Sequence, residues 1–392
     1  MSTTEAQPQV KPAPDAELQL LERHKPLLRF DLQYDYRLGS VLGVVGNPGN
    51  LLMTKHGEVI ARVGGDPPLT LELLSGYPDE RELSEDDQIC FAPDVQGDAR
   101  AMEGRPELSG RIYGRVVEDG GRTWLQYWFW LYYNPKNLFG FGKHEGDWEM
   151  IQIGLDAAGK PELIGYAQHN SGESRKPHQM EWVERDGGRH PVVYVSPYSH
   201  ASYFESGAHP YPIGIDHPAG AGPEDWLPVE GFGPWVNWPG HWGNSERVIA
   251  KRIGNGPSSP SRQNPKWESP AAFQRKLRLR WLRAKIGRLM YLVGKLSFPP
   301  PPKLSARIVG HRCVVSYATP SRRSRHLYIT VHDGHRVVSS RTVRCAGDGG
   351  EELMRLDRVP SKPVVCGSTF NRLRQRSDVV EAVPSREGPA QP

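Results

Sequence analysis

The chain has 392 residues, 37% of them hydrophobic and 24% charged, which is long enough for a sizeable buried core and for one or two domains. Its 42 Gly and 36 Pro make up about a fifth of the residues, so long uninterrupted helices cannot dominate, and 11 Trp with 15 Tyr point to a mainly β protein rich in loops. The net charge of +4 divides unevenly. Residues 1–271 carry 25 Lys/Arg against 37 Asp/Glu, and residues 272–392 carry 24 against 8, so the C-terminal third is the part suited to an anionic partner such as a membrane surface.

The opening MSTTEAQPQVKPAPDAELQ lacks a basic stretch followed by an apolar one, so it is not read as a secretory signal. No apolar run of about 18 residues occurs either, which excludes a helical membrane span. The expected location is the cytoplasm, with peripheral membrane contact as an addition. Residues 1–24 are read as a disordered segment, rich in Pro, Gln and Ala.

A body follows over residues 25–270. Short apolar runs at 27–32, 57–63 and 69–74 read as strands and hairpin pieces separated by Gly, Pro, Asn and Asp. The strongest signal is Thr123–Tyr133, TWLQYWFWLYY, with seven aromatics in eleven residues and Asn134-Pro135 at its end. It predicts a central strand buried on both faces. Further strands are expected at 148–155 and 190–196, and the Gly/Pro/Trp-rich stretch 205–245 reads as long loops over the sheet.

Texture changes at residue 271. Leu279, Leu282, Ile286, Leu289 and Val293 recur at spacings of three and four, one stripe of a helix. Arg278, Arg280, Arg283 and Lys285 lie among its eight positive charges, with no acid. Residues 271–303 are therefore read as a basic amphipathic helix and a Pro-rich linker. The helix suits the surface of an anionic membrane, or it packs on the acidic body. Nucleic acid is the less favoured partner because no nucleic-acid-binding motif accompanies the charge. Residues 304–375 alternate again and predict a small all-β module, and 376–392 are a tail. Cys313, Cys345 and Cys366 fall on or beside its strands, either as buried thiols or as candidates for one disulfide.

The chemistry-bearing string is Lys143-His144-Glu145-Gly146-Asp147-Trp148-Glu149. On a strand, Asp147 and Glu149 project from one face and Trp148 from the other. His144 lies in a turn that Gly146 allows to bend. One imidazole and two carboxylates suit a divalent cation, with Ca2+ or Mg2+ favoured over Mn2+ or Zn2+ by the oxygen-rich set. The alternative is that both acids are structural. A second cluster, Ser199-His200-Ala201-Ser202-Tyr203-Phe204, follows the 190–196 strand, so His200 is placed to return toward the sheet end. Asp216 and His217 are further candidates for the same site. A serine nucleophile is set aside for want of a G-x-S-x-G elbow. Trp235, Trp238 and Trp242 are loop candidates for stacking on a sugar.

The aromatic strand, H-E-G-D-W-E, H-P-V-V-Y-V, S-H-A-S-Y-F, the Asp-His loop and the closing G-P-S-S-P with W-x-x-P resemble the vacuolar protein sorting-associated protein 62 family over residues 25–270. H-E-G-D-W-E also resembles the core motif of the necrosis- and ethylene-inducing peptide-like proteins. That second resemblance implies a β-sandwich and a metal site on His144, Asp147 and Glu149, and Gly146 stands where that motif carries a second His. Together these readings give the expected architecture and function: a β-sandwich body with long loops, then a basic helix and a small β module, forming a non-enzymatic, cation-dependent binding protein for a glycan or lipid headgroup. The alternatives are a metal-dependent hydrolase of a phospho- or glycosyl bond, with Glu145 or Glu149 activating water, and a structural protein without metal.

Overall fold

The computed structural model describes residues 15–31, 38–76, 83–94, 97–98, 105, 108, 110–134, 144–168, 171–197, 199–207, 209–211, 214–216, 218, 220, 222, 224–244, 247–248, 251–252, 256–277, 299–319, 321–334, 336–345, 348–372, 376–377 and 379–386. The fold is mainly β. At its centre lies a six-stranded sheet in the order Val229–Gly231, Ile112–Asp119, Arg122–Asn134, His144–Leu155, Pro161–Gln168 and Ser171–Arg175. The two middle strands, called here the aromatic strand (Arg122–Asn134) and the carboxylate strand (His144–Leu155), pair antiparallel from Trp124↔Gly154 to Asn134↔His144. The aromatic strand is buried from Trp124 to Asn134, as expected of a strand covered on both faces.

One face of this sheet carries Trp128, Trp130 and Trp148. It is covered by the segment 232–267, whose Phe232, Trp235, Trp238, Trp242 and Trp267 complete an aromatic core. The opposite face meets a second sheet in which Leu27–Arg29 runs parallel to Gly188–Val195, with Ser202–Tyr203 returning antiparallel to the latter. Tyr166 stacks on Phe204 with ring centroids 3.7 Å apart and donates to the Val192 carbonyl, joining these two layers. A third sheet, of four short strands, includes Gln88–Cys90 paired to His241–Trp242.

Two expectations are corrected here. Asp15–His24, inside the segment read as disordered, is a helix. Its Leu21 is fully buried, and its carbonyl accepts a hydrogen bond from the Tyr127 hydroxyl. Acids in its first turn and bases in its last complement the helix dipole. The run 69–74, read as a strand piece, contributes to the helix Leu71–Ser75, because Thr70 caps it through a hydrogen bond from the Leu73 amide at 3.1 Å.

The basic helix opens at residue 270 and is described to residue 277. There Phe273, Gln274 and Leu277 are buried on the body. Gln274 accepts from the Gln152 amide at 2.9 Å and donates to Ser174 Oγ. Arg278, Arg280, Arg283 and Lys285 lie outside the described residues. Among the described residues no helix is long and apolar enough to cross a membrane.

The C-terminal module is a sandwich of two four-stranded sheets, which correct the expected tail by taking in Val380–Ala382 and Ser385–Arg386 as edge strands, over its own apolar core, which includes Cys313, Val315, Leu327, Ile329, Val331, Met354 and Val365. Cys313, Cys345 and Cys366 are free thiols, and burial pushes all three up from the ordinary cysteine range. One end of the module attaches to the body. Arg376, beside Phe370, donates to both oxygens of buried Asp31 at 2.8 and 3.2 Å.

Candidate functional site

Asp147 and Glu149 occupy alternate positions on the carboxylate strand, opposite Leu131 and Phe129 of the aromatic strand. Trp148 between them turns to the aromatic core, so the pleat directs both acids to the other face, under the second sheet. Both are buried. The turn after Gly188–Val195 brings His200 onto them, and its Nδ1 donates to Asp147 Oδ2 at 2.8 Å. His200 is fully enclosed and holds a left-handed backbone with φ of 55°. That conformation is costly for a residue with a Cβ and is retained where surrounding contacts over-determine it. Here those contacts include the His200 amide bonded to the Ser196 carbonyl and the Ser196 amide bonded to the Ala201 carbonyl.

Asp216 holds the same turn from its other side. Its Oδ2 accepts from Ser199 Oγ at 2.7 Å and from the Tyr203 hydroxyl at 2.6 Å. Residues 199–203 are thus pinned between two buried acids, through Asp147 by way of His200 and through Asp216 by way of Ser199 and Tyr203. His217 lies outside the described residues.

His144 does not join this pair. Its Nδ1 donates to the Gly146 carbonyl at 2.7 Å, and its Nε2 faces the Asn134 side-chain amide at 2.8 Å. Both ring nitrogens are therefore occupied, and a metal would have to displace one of these contacts. Glu145 Oε2 accepts from the backbone amides of Phe91 at 3.0 Å and Asn244 at 2.9 Å. It ties two loops to the strand. No group of three or more His, Cys, Asp or Glu side chains placed to hold a metal ion occurs among the described residues. As arranged, His144, Asp147 and Glu149 do not form such a group.

The sugar-stacking expectation is corrected. Trp235, Trp238 and Trp242 are 5, 0 and 0% exposed and pack edge-on or stacked against one another and Trp148. The loop that carries them crosses the sheet face rather than standing off it, so their area is spent on the core. Sequence reasoning missed Lys266. Its ammonium is buried, donates to Gln263 Oε1 at 3.2 Å, and is pushed below the ordinary lysine range by that burial against the opposing charges of Glu149 and Asp147. A lone Lys some 120 residues from those acids gives no local signal. Tyr203 and Ser199 stood in a string already singled out, but their shared partner Asp216 is visible only in three dimensions.

No curated protein matches the sequence. Among solved structures the chain is similar to NLPPya in complex with glucosamine, at 14% identity over 59% of this chain and 80% of that one, with a TM-score of 0.29. It is similar to the mannosamine complex of NLPPya at 14% identity over 59% and 79%, with a TM-score of 0.28. A third is necrosis and ethylene inducing protein 2 from the causal agent of cocoa's witches' broom disease, at 12% identity over 65% and 90%, with a TM-score of 0.30. Residues 134–211, the stretch that holds the carboxylate strand, the second-sheet strand and the His200 turn, match the family model of vacuolar protein sorting-associated protein 62.

Proposed function

We propose that the chain is a non-enzymatic binding protein for a glycan or lipid headgroup, with recognition centred on the end of the carboxylate strand and the His200 turn. The observation that carries the reading is the buried His200–Asp147 contact at 2.8 Å beside buried Glu149, held by a histidine in a left-handed conformation. Burying ionisable groups is expensive, and strained backbone beside such groups is a reason to look for a ligand. Polar groups fixed in this way suit the hydroxyl and amino groups of a sugar, whereas the phosphate ester of a headgroup would need a cation between it and the two carboxylates. If a divalent cation takes part, Asp147 and Glu149 are the carboxylates it would use, and His144 would have to give up its present bonds.

A second reading, a structural protein without metal, draws on Glu145 and His144, whose bonds to the Phe91 and Asn244 amides and to the Gly146 carbonyl hold loops and strand ends together. Thermal unfolding separates the two. The chelator-treated full chain is titrated with Ca2+, Mg2+, Mn2+ and Zn2+, then with glucosamine, mannosamine and phosphorylated headgroups, beside Asp147→Asn. A ligand at 100 times its Kd adds about 2.7 kcal/mol, so a saturable rise in midpoint that Asp147→Asn abolishes supports the binding reading. An unmoved midpoint with every probe, and Asp147→Asn changing stability alone, would establish the structural one.

A further inference from the structure

We propose that the end of the C-terminal module remote from the body is a docking surface for an anionic lipid bilayer. The module's strands give it two ends. At one, Arg376 and Thr369 tie it to Asp31 and to the Pro300 carbonyl. At the other lie Val309, Arg312, Arg355 and the loop that leads from Arg355 to Pro363. Among the described residues the exposed large apolar side chains are Leu42, Val59, Val309, Leu353, Val359 and Val383. Four of these six belong to this remote end. Val309 closes its strand, at 38% exposure, and Leu353 lies two residues before Arg355, at 47%. Val359 stands in the connecting loop at 44%, and Val383 follows Ala382, the partner of Val365, at 81%.

The same end is basic. Arg312 and Arg355 are directly opposed across neighbouring strands. Both are exposed on the outer face, because Cys313 and Met354 beside them are buried in the core. Like charges placed opposite one another destabilise a sheet unless an anion lies over them. Arg358, with 59% of its side chain exposed, lies beside Val359 with its charge shared with Asp333 at 3.0 Å.

The loop is braced in place. Asp333 accepts from the amides of Ser361 and Lys362 and from the Arg358 guanidinium, and Arg386 donates to the carbonyls of Pro360 and Ser361. Val359 is therefore presented on a held loop, with no ordering cost left to meet on contact. The acids nearby are Asp357, Glu381, Asp333, Glu351 and Glu352, the last three already engaged with Arg358, Arg307 and Arg341 respectively. Branched aliphatic side chains interleaved with arginines fit the boundary between headgroup and acyl chain. A nucleic-acid surface would call for aromatic platforms, and none of the residues named here is aromatic. The inference is independent of the headgroup site proposed above, which lies in the body.

The test is sedimentation of the full chain with phosphatidylcholine vesicles and with vesicles containing 30% phosphatidylserine. Each arginine near such a surface contributes about 1 kcal/mol, so Arg312→Ala with Arg355→Ala should weaken binding to the anionic vesicles about 30-fold. Val359→Ser with Val383→Ser should weaken it about tenfold. All four positions are exposed, and an unfolding midpoint no lower than the parent's checks that each variant folds. The proposal is overturned by equal binding to both vesicle types or to neither. It is also overturned if both paired variants bind as well as the parent, or if binding is lost only through Arg278→Ala, Arg280→Ala and Arg283→Ala. Binding to duplex DNA that is lost with Arg312 and Arg355 but indifferent to Val359 and Val383, without anionic-vesicle binding, would assign the surface to nucleic acid instead.

Discussion

Breaking the Asp31–Arg376 pair is the perturbation whose size follows most directly from the geometry. Asp31 is completely buried and the Arg376 side chain is 6% exposed. Both carboxylate oxygens receive a guanidinium N–H, and Arg376 Nε donates to Ser368 Oγ at 3.0 Å. A two-pronged pair of this kind is held in a single orientation and is shielded from salt. Arg376→Met removes the cation and leaves the carboxylate without it in a dry interior, which typically costs about 3–5 kcal/mol. Asp31→Leu does the converse to the guanidinium. The double variant removes both charges together and should recover most of the loss, since an apolar pair of similar volume is often as stable as the ion pair it replaces. Urea unfolding of all four proteins completes the cycle, and the expected coupling is about 2–4 kcal/mol. Because the body and the module have separate apolar cores, fluorescence from the Trp-rich body and circular dichroism should be followed together, to detect the module letting go first. Single variants costing less than about 1 kcal/mol, the range of an exposed pair, or a double variant equal to the sum of the singles, would refute the reasoning.

Two further substitutions report on the site and its surroundings. Gly146 has φ of 65°, and a Cβ there would lie 2.3 Å from the Trp242 carbonyl oxygen and 2.5 Å from the Trp130 ring; Gly146→Ala should therefore destabilise by about 2–5 kcal/mol in urea unfolding, and a loss under about 1 kcal/mol would show that this irregular point of the strand is not held. His209, stacked on Tyr203, is lowered by burial from 6.5 to about 4 over the opposing pull of Glu173. It stays neutral in the folded chain while the unfolded chain takes up a proton, so its contribution is complete above pH 6.5 and is lost as pH falls toward 4, by on the order of 3 kcal/mol. His209→Gln should flatten that part of the stability–pH curve, and an unchanged slope would count against the assignment.

How much of this was legible depended on the range of the interaction that decides each element. Thr123–Tyr133 could be placed because a strand buried on both faces writes its environment into every position. The common face of Asp147 and Glu149 follows from the two-residue pleat alone. The return of His200 was foreseen because a turn after a strand has few places to go. Other features were decided by single contacts that periodicity does not encode. One Thr70 side chain makes a helix of an apolar run. The burial of Leu21 brings Asp15–His24 out of a segment whose composition reads as disordered. His144 sits three residues from Asp147 in sequence, but its ring nitrogens are taken by the Gly146 carbonyl and the Asn134 amide at the start of the carboxylate strand.

The misplaced tryptophans explain why the acids can be where they are. On the carboxylate strand each residue facing one way fixes its neighbours facing the other. Trp148 is wedged among Trp130, Trp235 and Trp242, so it cannot rotate without opening the aromatic core, and Asp147 and Glu149 are held on the far side as a consequence. Loop aromatics read as ligand platforms instead supply the apolar contact that holds a strand bearing two buried carboxylates in place. Removing one of them should act on the site at a distance. The ligand site proposed above is therefore to be sought where the strand emerges from this clamp, at Gly146 and the His200 turn, and not among the tryptophans.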